Sequence, residues 1–321
     1  MNNFQKEFKE ALNLILSSHY IVIVTHINPD ADTLSSALAL SSYMYRNNIN
    51  HKVFNSKKEL PRNLDYLPRF DKVIDKLPDT YDLIIYVDCG DKFRIGTKVD
   101  NNCKSINIDH HQSNNNYGDI NIVNFNKGST AEVLFGFFHH NNINLTKEIA
   151  TCLYTGIYDD SIAFTTPRTD KDTFAVVSTL VETGIDISKI SEQYNMRASL
   201  AKYRLLPKIL QTLELHYEGT IATIYQKEEW LASTGASFNE CDDVVNEVLK
   251  IAVVKVALYL REDREHIRVS LRGKGNSDIN LSKIASNFNG GGHINAAGAT
   301  FNERSIEQVI VTLLKAIKNY I

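Results

Sequence analysis

The run His-Ile-Asn-Pro-Asp-Ala-Asp at residues 26–32 places a histidine and two carboxylates, His26, Asp30 and Asp32, directly after an apolar stretch. Two carboxylates so close repel, and each raises the other's pKa. Groups of the same kind recur: Asp88 in Tyr-Val-Asp-Cys-Gly-Asp, then Asp109-His110-His111, then Tyr158-Asp159-Asp160-Ser161. Taken singly, each is as well explained by turn chemistry, since an Asp after a strand often bonds its own backbone. Gathered at one point they would need cations to be stable together. Mixed Asp/His ligation suits Mn²⁺ or another first-row divalent ion better than a thiolate-bound metal. Two ions sharing one carboxylate is the natural arrangement for so many donors.

Elements that could bring these groups together are readable. Residues 20–26 predict a buried strand and 33–46 a helix, with Asp32 or Thr33 as N-cap. Strands are predicted at 51–55, 82–90 and 105–111, with an edge strand at 120–124 and helices at 129–141 and 146–158. This alternation predicts an α/β fold with a parallel, doubly wound sheet. Ligands of such sheets bind beyond the carboxyl ends of the strands, where three of the four groups fall. Residues 170–214 read as helical, punctuated by Gly184 and Pro207. Strands at 216–226, 253–262 and 266–275 and helices at 239–250, 280–288 and 303–320 predict a smaller α/β C-terminal domain. The expected organisation is a catalytic domain over 1–186, a helical connector over 187–214 and a substrate-binding domain over 215–321, with the active-site cleft between the two domains.

The 321 residues carry a net charge of −3, so there is no overall basic field of the kind long duplex nucleic acids need. None of the four cysteines is part of a CxxC pair, which argues against a zinc ribbon or disulfide framework and for a reducing cytoplasm. The amphipathic, partly acidic N-terminus is unlike a secretory signal, and no apolar run of about 18 residues predicts a membrane span. Positive charge is local. Arg268, Ser270 and Arg272 alternate on a predicted strand, with Lys274 near its end, and Gly290-Gly291-Gly292 precedes His293. Such a glycine run lets backbone amides approach an anion closely.

With His26-Ile-Asn-Pro-Asp30-Ala-Asp32, Val87-Asp88, Asp109-His110-His111, Gly156-Ile-Tyr-Asp-Asp160 and Gly290-Gly291-Gly292-His293-Ile-Asn-Ala-Ala-Gly298, the chain resembles the DHH phosphoesterases with their DHH-associated C-terminal domain, in the nanoRNase/pAp phosphatase branch. The resemblance implies two divalent ions per chain, Mn²⁺ first with Mg²⁺ or Co²⁺ as alternatives. His26, Asp30 and Asp88 would hold one; Asp32, Asp88, His110 and Asp160 the other. His111 and Asp109 are the catalytic candidates, His111 beside the reacting phosphate and Asp109 orienting the histidines. Gly291, Gly292, His293, Arg272, Ser270, Lys274 and Arg268 would bind substrate. Where the family usually has Gly-Asp-Thr-Gly, this chain has Asp159-Asp160-Ser161-Ile162; Gly156 and Phe164 align Asp160 as the last ligand, with Asp159 as the alternative. The implied activity is Mn²⁺-dependent hydrolysis of very short oligonucleotides to mononucleotides, and of 3′-phosphoadenosine 5′-phosphate (pAp) or linear dinucleotides such as pApA. A family II-like inorganic pyrophosphatase and a catalytically dead nucleotide-binding regulator are the competing readings. A homodimer is compatible with all of them.

Overall fold

The structure, a computed structural model, describes residues 4–99, 103–275, 279–302, 305–318 and 320, with the side chain of His293 outside the description. The chain divides into two compact units, Met1–Arg197 and Ala198–Ile321.

The first unit contains strands β1 (Ile21–Val24), β2 (His51–Phe54), β3 (Val73–Ile74), β4 (Leu83–Val87), β5 (Lys104–Asp109) and β6 (Ile120–Val123). They form a parallel sheet in the order β3-β2-β1-β4-β5-β6. Its helices are α1 (Gln5–Ser17), α2 (Ala31–Arg46), α3 (Thr130–His140), α4 (Lys147–Asp160), α5 (Lys171–Glu182) and α6 (Ile187–Asn195). β1 and β4 are apolar and buried throughout, as a parallel sheet covered on both faces requires. One face, through Ile21, Ile23, Ile85 and Ile108, meets Leu34, Leu38, Phe137 and Leu153 of the helices. The other, through Val22, Val24, Ile84 and Tyr86, packs with Phe54, Ile95 and partly buried Leu77 and Tyr117. α2 begins two residues earlier than expected. Asp30, in extended conformation, caps it by accepting from Thr33 N at 3.0 Å, so Asp32 lies inside the first turn.

The second unit has strands β7 (Glu214–His216), β8 (Ile221–Gln226), β9 (Val256–Asp263), β10 (His266–Gly273), β11 (Gly291–His293) and β12 (Ala296–Phe301), in the order β11-β12-β10-β9-β8-β7. β8 and β9 are parallel; the other pairs are antiparallel. Its helices are α7 (Leu200–Leu210), α8 (Glu228–Thr234), α9 (Val244–Leu249), α10 (Leu281–Ser286) and α11 (Ile306–Lys318). Of the helices expected to form a connector, α6 contributes Ile190 to the first unit's core and α7 contributes Leu205 and Ile209 to the second's. The single strand expected at 216–226 is a hairpin: Tyr217, Glu218 and Gly219 take left-handed conformations and turn β7 into β8. No helix among the described residues is long and apolar enough to cross a membrane.

The glycine run, not among the expected strands, enters strand β11, which pairs with β12. A Cβ on Gly290 would lie 2.2 Å from Gly298 O, and one on Gly292 2.4 Å from Ala296 O, whereas at Gly291 nothing lies within 4 Å. Two of the three glycines are therefore required by the close approach of their own hairpin. Gly290→Ala and Gly292→Ala should each destabilise the chain by about 1–3 kcal/mol in chemical denaturation. Gly291→Ala should stay within about 0.5 kcal/mol of the parent; equal losses at all three positions would contradict this account.

Candidate metal centre

In the first sheet the strand order reverses beside β1, with β2 on one side and β4 on the other, and side chains that follow β1, β4 and β5 meet at their carboxyl ends. His26 Nε2 lies 3.4 Å from Asp30 Oδ2 and 3.7 Å from Asp88 Oδ2. His110 Nε2 lies 3.1 Å from Asp160 Oδ2 and 3.6 Å from Asp88 Oδ1. Donor atoms within 4.8 Å of one another form three sets: His26, Asp30 and Asp88; Asp32, His110 and Asp160; and Asp88, His110 and His111. Asp30 and Asp32, two residues apart, thus fall in different sets. Asp88 sits in left-handed backbone with φ +57°, a conformation costing about 1–3 kcal/mol for a non-glycine residue. Its amide still bonds Ile108 O at 3.0 Å, and its Oδ1 accepts from Thr130 Oγ1 at 2.8 Å.

Neighbouring elements fix each donor. Asp32 accepts from the first two amides of α3, Thr130 N at 2.7 Å and Ala131 N at 3.0 Å. A side chain on Gly156 of α4 would come within 2.6 Å of Asp32 Oδ1, so the glycine makes room for this carboxylate. Asp109 is saturated: one oxygen takes His110 N at 2.7 Å, His111 N at 3.2 Å and His111 Nδ1 at 2.7 Å, and the other takes Asn114 Nδ2 at 2.6 Å. It holds the ring of His111 and the backbone of His110. His110 Nδ1 faces Lys127 O at 3.4 Å, which turns Nε2 toward Asp160 and Asp88. Asp159 lies outside these sets. It accepts from Ala31 N at 3.1 Å and from the Tyr194 hydroxyl. Thr130, Asn114 and Lys127 were not singled out from sequence. The only advance sign was Ser129-x-x-Glu132, a helix-start pattern that marks where α3 begins, and there Ser129 Oγ accepts from Glu132 N at 3.1 Å.

In the second unit, Arg268, Ser270 and Arg272 share one face of β10. Arg268 Nε pairs with Asp263 at 2.7 Å, and Arg272 Nη1 donates to Leu271 O at 3.0 Å. Burial lowers the Arg272 pKa. Gly291 pairs with Gly298, which pairs with Ser270, so a floor without side chains adjoins these arginines. His293 pairs through its backbone with Ala296; the role expected of its side chain falls outside the described residues. Lys274 follows the end of β10, and its ammonium is committed to Ile251 O at 2.8 Å and Ala252 O at 3.1 Å. Sequence reading passed over Arg261. It is buried, stacks on Phe238 and Tyr259, binds Asp242, and reaches Ser270 Oγ at 3.4 Å.

Residues 20–157 match the DHH family, N-terminal domain, and residues 220–321 match the DHHA1 domain. A Streptococcus mutans protein named "Probable bifunctional oligoribonuclease and PAP phosphatase NrnA" is 30% identical over 317 residues, spanning 96% of this chain and 99% of that one. This chain belongs to the DHH family. The Thermus thermophilus bifunctional oligoribonuclease and PAP phosphatase NrnA is 28% identical over 301 residues, spanning 93% of this chain and 89% of its own length. The crystal structure of an exopolyphosphatase-related protein from Bacteroides fragilis matches with a TM-score of 0.91 and 26% identity, covering 98% of this chain and 96% of that one.

The electrostatics of the DHH domain fit a divalent cation. His26 Nε2 is buried and bonds neither carboxylate it faces, which is how ligands stand around an ion. Burial lowers the His26 pKa, but Asp30 and Asp88 outweigh it and raise it to about 9. Burial opposes His110 in the same way, and Asp160 and Asp88 carry it to about 10. Burial, with Asp160 and Asp88 beside it, raises Asp32 well above the carboxylate range. Burial likewise raises Asp160, against the pull of His110. Asp30 is held low: the desolvation that would raise it is outweighed by His26, and Arg94 adds in the same direction. Without a cation, protons on the two histidines offset this charge, and a cation must displace them.

The histidine pKa values lie above the ordinary 6.5, so their stabilisation is complete below about pH 6.5 and lost as pH rises through about 9 and 10. Asp159, pushed by burial to about 7, acts in the same direction over the lower part of that range. The melting temperature of the chelated chain should therefore fall from pH 6.5 to 10. Added Mn²⁺ at about 100 times its Kd should return about 2.7 kcal/mol, with Kd itself tightening as pH rises. A Kd independent of pH in calorimetry would contradict this proton–cation exchange.

Proposed function

We propose that this DHH-family hydrolase cleaves very short oligonucleotides to mononucleotides and removes phosphate from pAp, using two Mn²⁺ ions in a reducing cytoplasm. The observation that carries the reading is Asp88, one carboxylate facing both His26 and His110 and so able to serve two ions. His26 and Asp30 would complete one ligand set; Asp32, His110 and Asp160 would complete the other. Ions held there would supply an activated water and would neutralise charge developing on the phosphoryl group.

The chain's own residues do the rest. Asp109 accepts from His111 Nδ1, so the doubly protonated ring would donate through Nε2 to a phosphate oxygen or protonate the leaving oxygen, becoming neutral. In the second unit, Arg268 and Arg272 would offer positive charge to substrate phosphate, and Gly291 would admit it close to backbone. A net charge of −3 suits substrates with few phosphates. The names of the Streptococcus and Thermus relatives join the same two activities, and their similarity extends through both units.

The test is turnover of pApA, pAp and pyrophosphate with and without Mn²⁺. AMP from pApA and phosphate from pAp, both requiring Mn²⁺, are the expected products. Asp88→Ala should lose bound metal and lower kcat at least about 100-fold. Cleavage of pyrophosphate alone would replace this reading with that of a pyrophosphatase, and tight nucleotide binding without turnover would make the chain a regulator.

A further inference from the structure

Phe93 is 92% exposed, more than any other large apolar side chain among the described residues. Isolated exposed apolar residues are ordinary on protein surfaces, but the backbone under this one is fixed from several sides. It lies on a 3-10 turn, Lys92–Ile95, that follows β4 and Asp88. Asp91 Oδ1 accepts from Phe93 N at 2.8 Å, and Gly96 N donates to Phe93 O at 3.3 Å. Ile95 is fully buried, and its carbonyl accepts from Ser56 Oγ at 2.7 Å. Gly96 has φ +77°, and a Cβ there would lie 2.5 Å from Ile27 Cδ1, so the turn is pressed onto the segment after β1. Lys92 reaches back over the rings of Tyr86 and Tyr117.

The same turn adjoins the metal donors. Ile27, the residue after His26, donates its amide to Arg94 O at 2.7 Å. The charge of Arg94 reaches the Asp30 carboxylate. The segments that carry His26, Asp30 and Asp88 therefore run into the turn that holds the ring outward.

We infer that Phe93 is a nucleobase-binding residue, whose ring stacks on the base of the nucleotide next to the phosphate held at the Asp88 donor sets. This rests on the proposed hydrolysis of short oligonucleotides. One rigid ring is far too small for a protein interface, but it matches the face of a base. Phe has no hydrogen-bonding group with which to read a base edge. Stacking on it therefore rewards the presence of a base and is tolerant of which one.

The test compares pApA with its counterpart bearing abasic sugars, on the parent chain, Phe93→Ala, Phe93→Leu and Phe93→Trp. Binding is read as Kd by calorimetry on the Mn²⁺-loaded chain with non-cleavable, phosphonate-linked forms of both ligands, and turnover as kcat/KM with Mn²⁺. The parent should prefer pApA over the abasic ligand. Phe93→Ala should shrink that preference about tenfold, Phe93→Leu nearly as much, and Phe93→Trp should keep it. No preference in the parent, an unchanged preference in Phe93→Ala, or full retention by Phe93→Leu would each overturn the assignment. The Kd comparison does not depend on turnover. A chain that binds pApA with the expected preference but cleaves nothing would retain the Phe93 site and lose the hydrolase reading.

Discussion

Crowding of like charge at one sheet edge is the constraint on which the first unit is organised. Asp30, Asp32, Asp88 and Asp160 converge around His26, His110 and His111. Unpaired carboxylates removed from water are strongly unfavourable, and several parts of the fold relieve them. The N-terminus of α3, with its unpaired amides and positive dipole end, is aimed at Asp32. Thr130 takes one oxygen of Asp88. The relief is incomplete, as the raised pKa values of Asp32 and Asp160 show, and the remainder is what a divalent cation would supply.

Topology makes the convergence possible without adjacency in sequence. Parallel strands deliver all their exits to one edge, so residues separated by 98 positions, Asp32 and Thr130, meet directly. The adjacent carboxylates divide their work in the same way. Asp160 turns to His110, while Asp159 holds Ala31 between the carboxylates Asp30 and Asp32 and is itself held by Tyr194 of α6. α6 thereby reaches the residue that separates Asp30 from Asp32, although it carries no donor of its own.

What could be read in advance follows from these physics. Buried parallel strands are continuous apolar runs, so β1, β4 and β5 were visible, and with them the donors at their ends. Partners that depend on tertiary approach were not: nothing local marks Thr130 as a neighbour of Asp88, or Arg261 as the support of Ser270. The second sheet was the less legible. Glycine is poor strand material, which concealed β11, where it is used because the hairpin leaves no room for a Cβ. Tyr217 and Glu218 continue a strand-like composition through a turn. Lys274 fits the alternation of Arg268 and Arg272 by number, but β10 has ended at Gly273, so the period no longer applies and the ammonium goes to backbone carbonyls instead.

Glycines in the two units make the distinction between folding and function concrete. Gly156 is required by a carboxylate, and Gly290 and Gly292 by strand pairing; in each case a side chain would strike a named atom. Gly291 strikes nothing. Packing within its own unit therefore gives no reason for glycine there, while the proposed function does: it lies level with Gly298 and Ser270 on the face that carries Arg268 and Arg272. A residue type that the fold does not demand, placed beside cations, is a better pointer to a ligand than the glycine run as a whole. The same reasoning separates Phe93 from the other exposed apolar side chains. Its turn is tied down by the Asp91 side chain, by buried Ile95 and by the Ile27–Arg94 backbone bond, while the ring itself stands exposed.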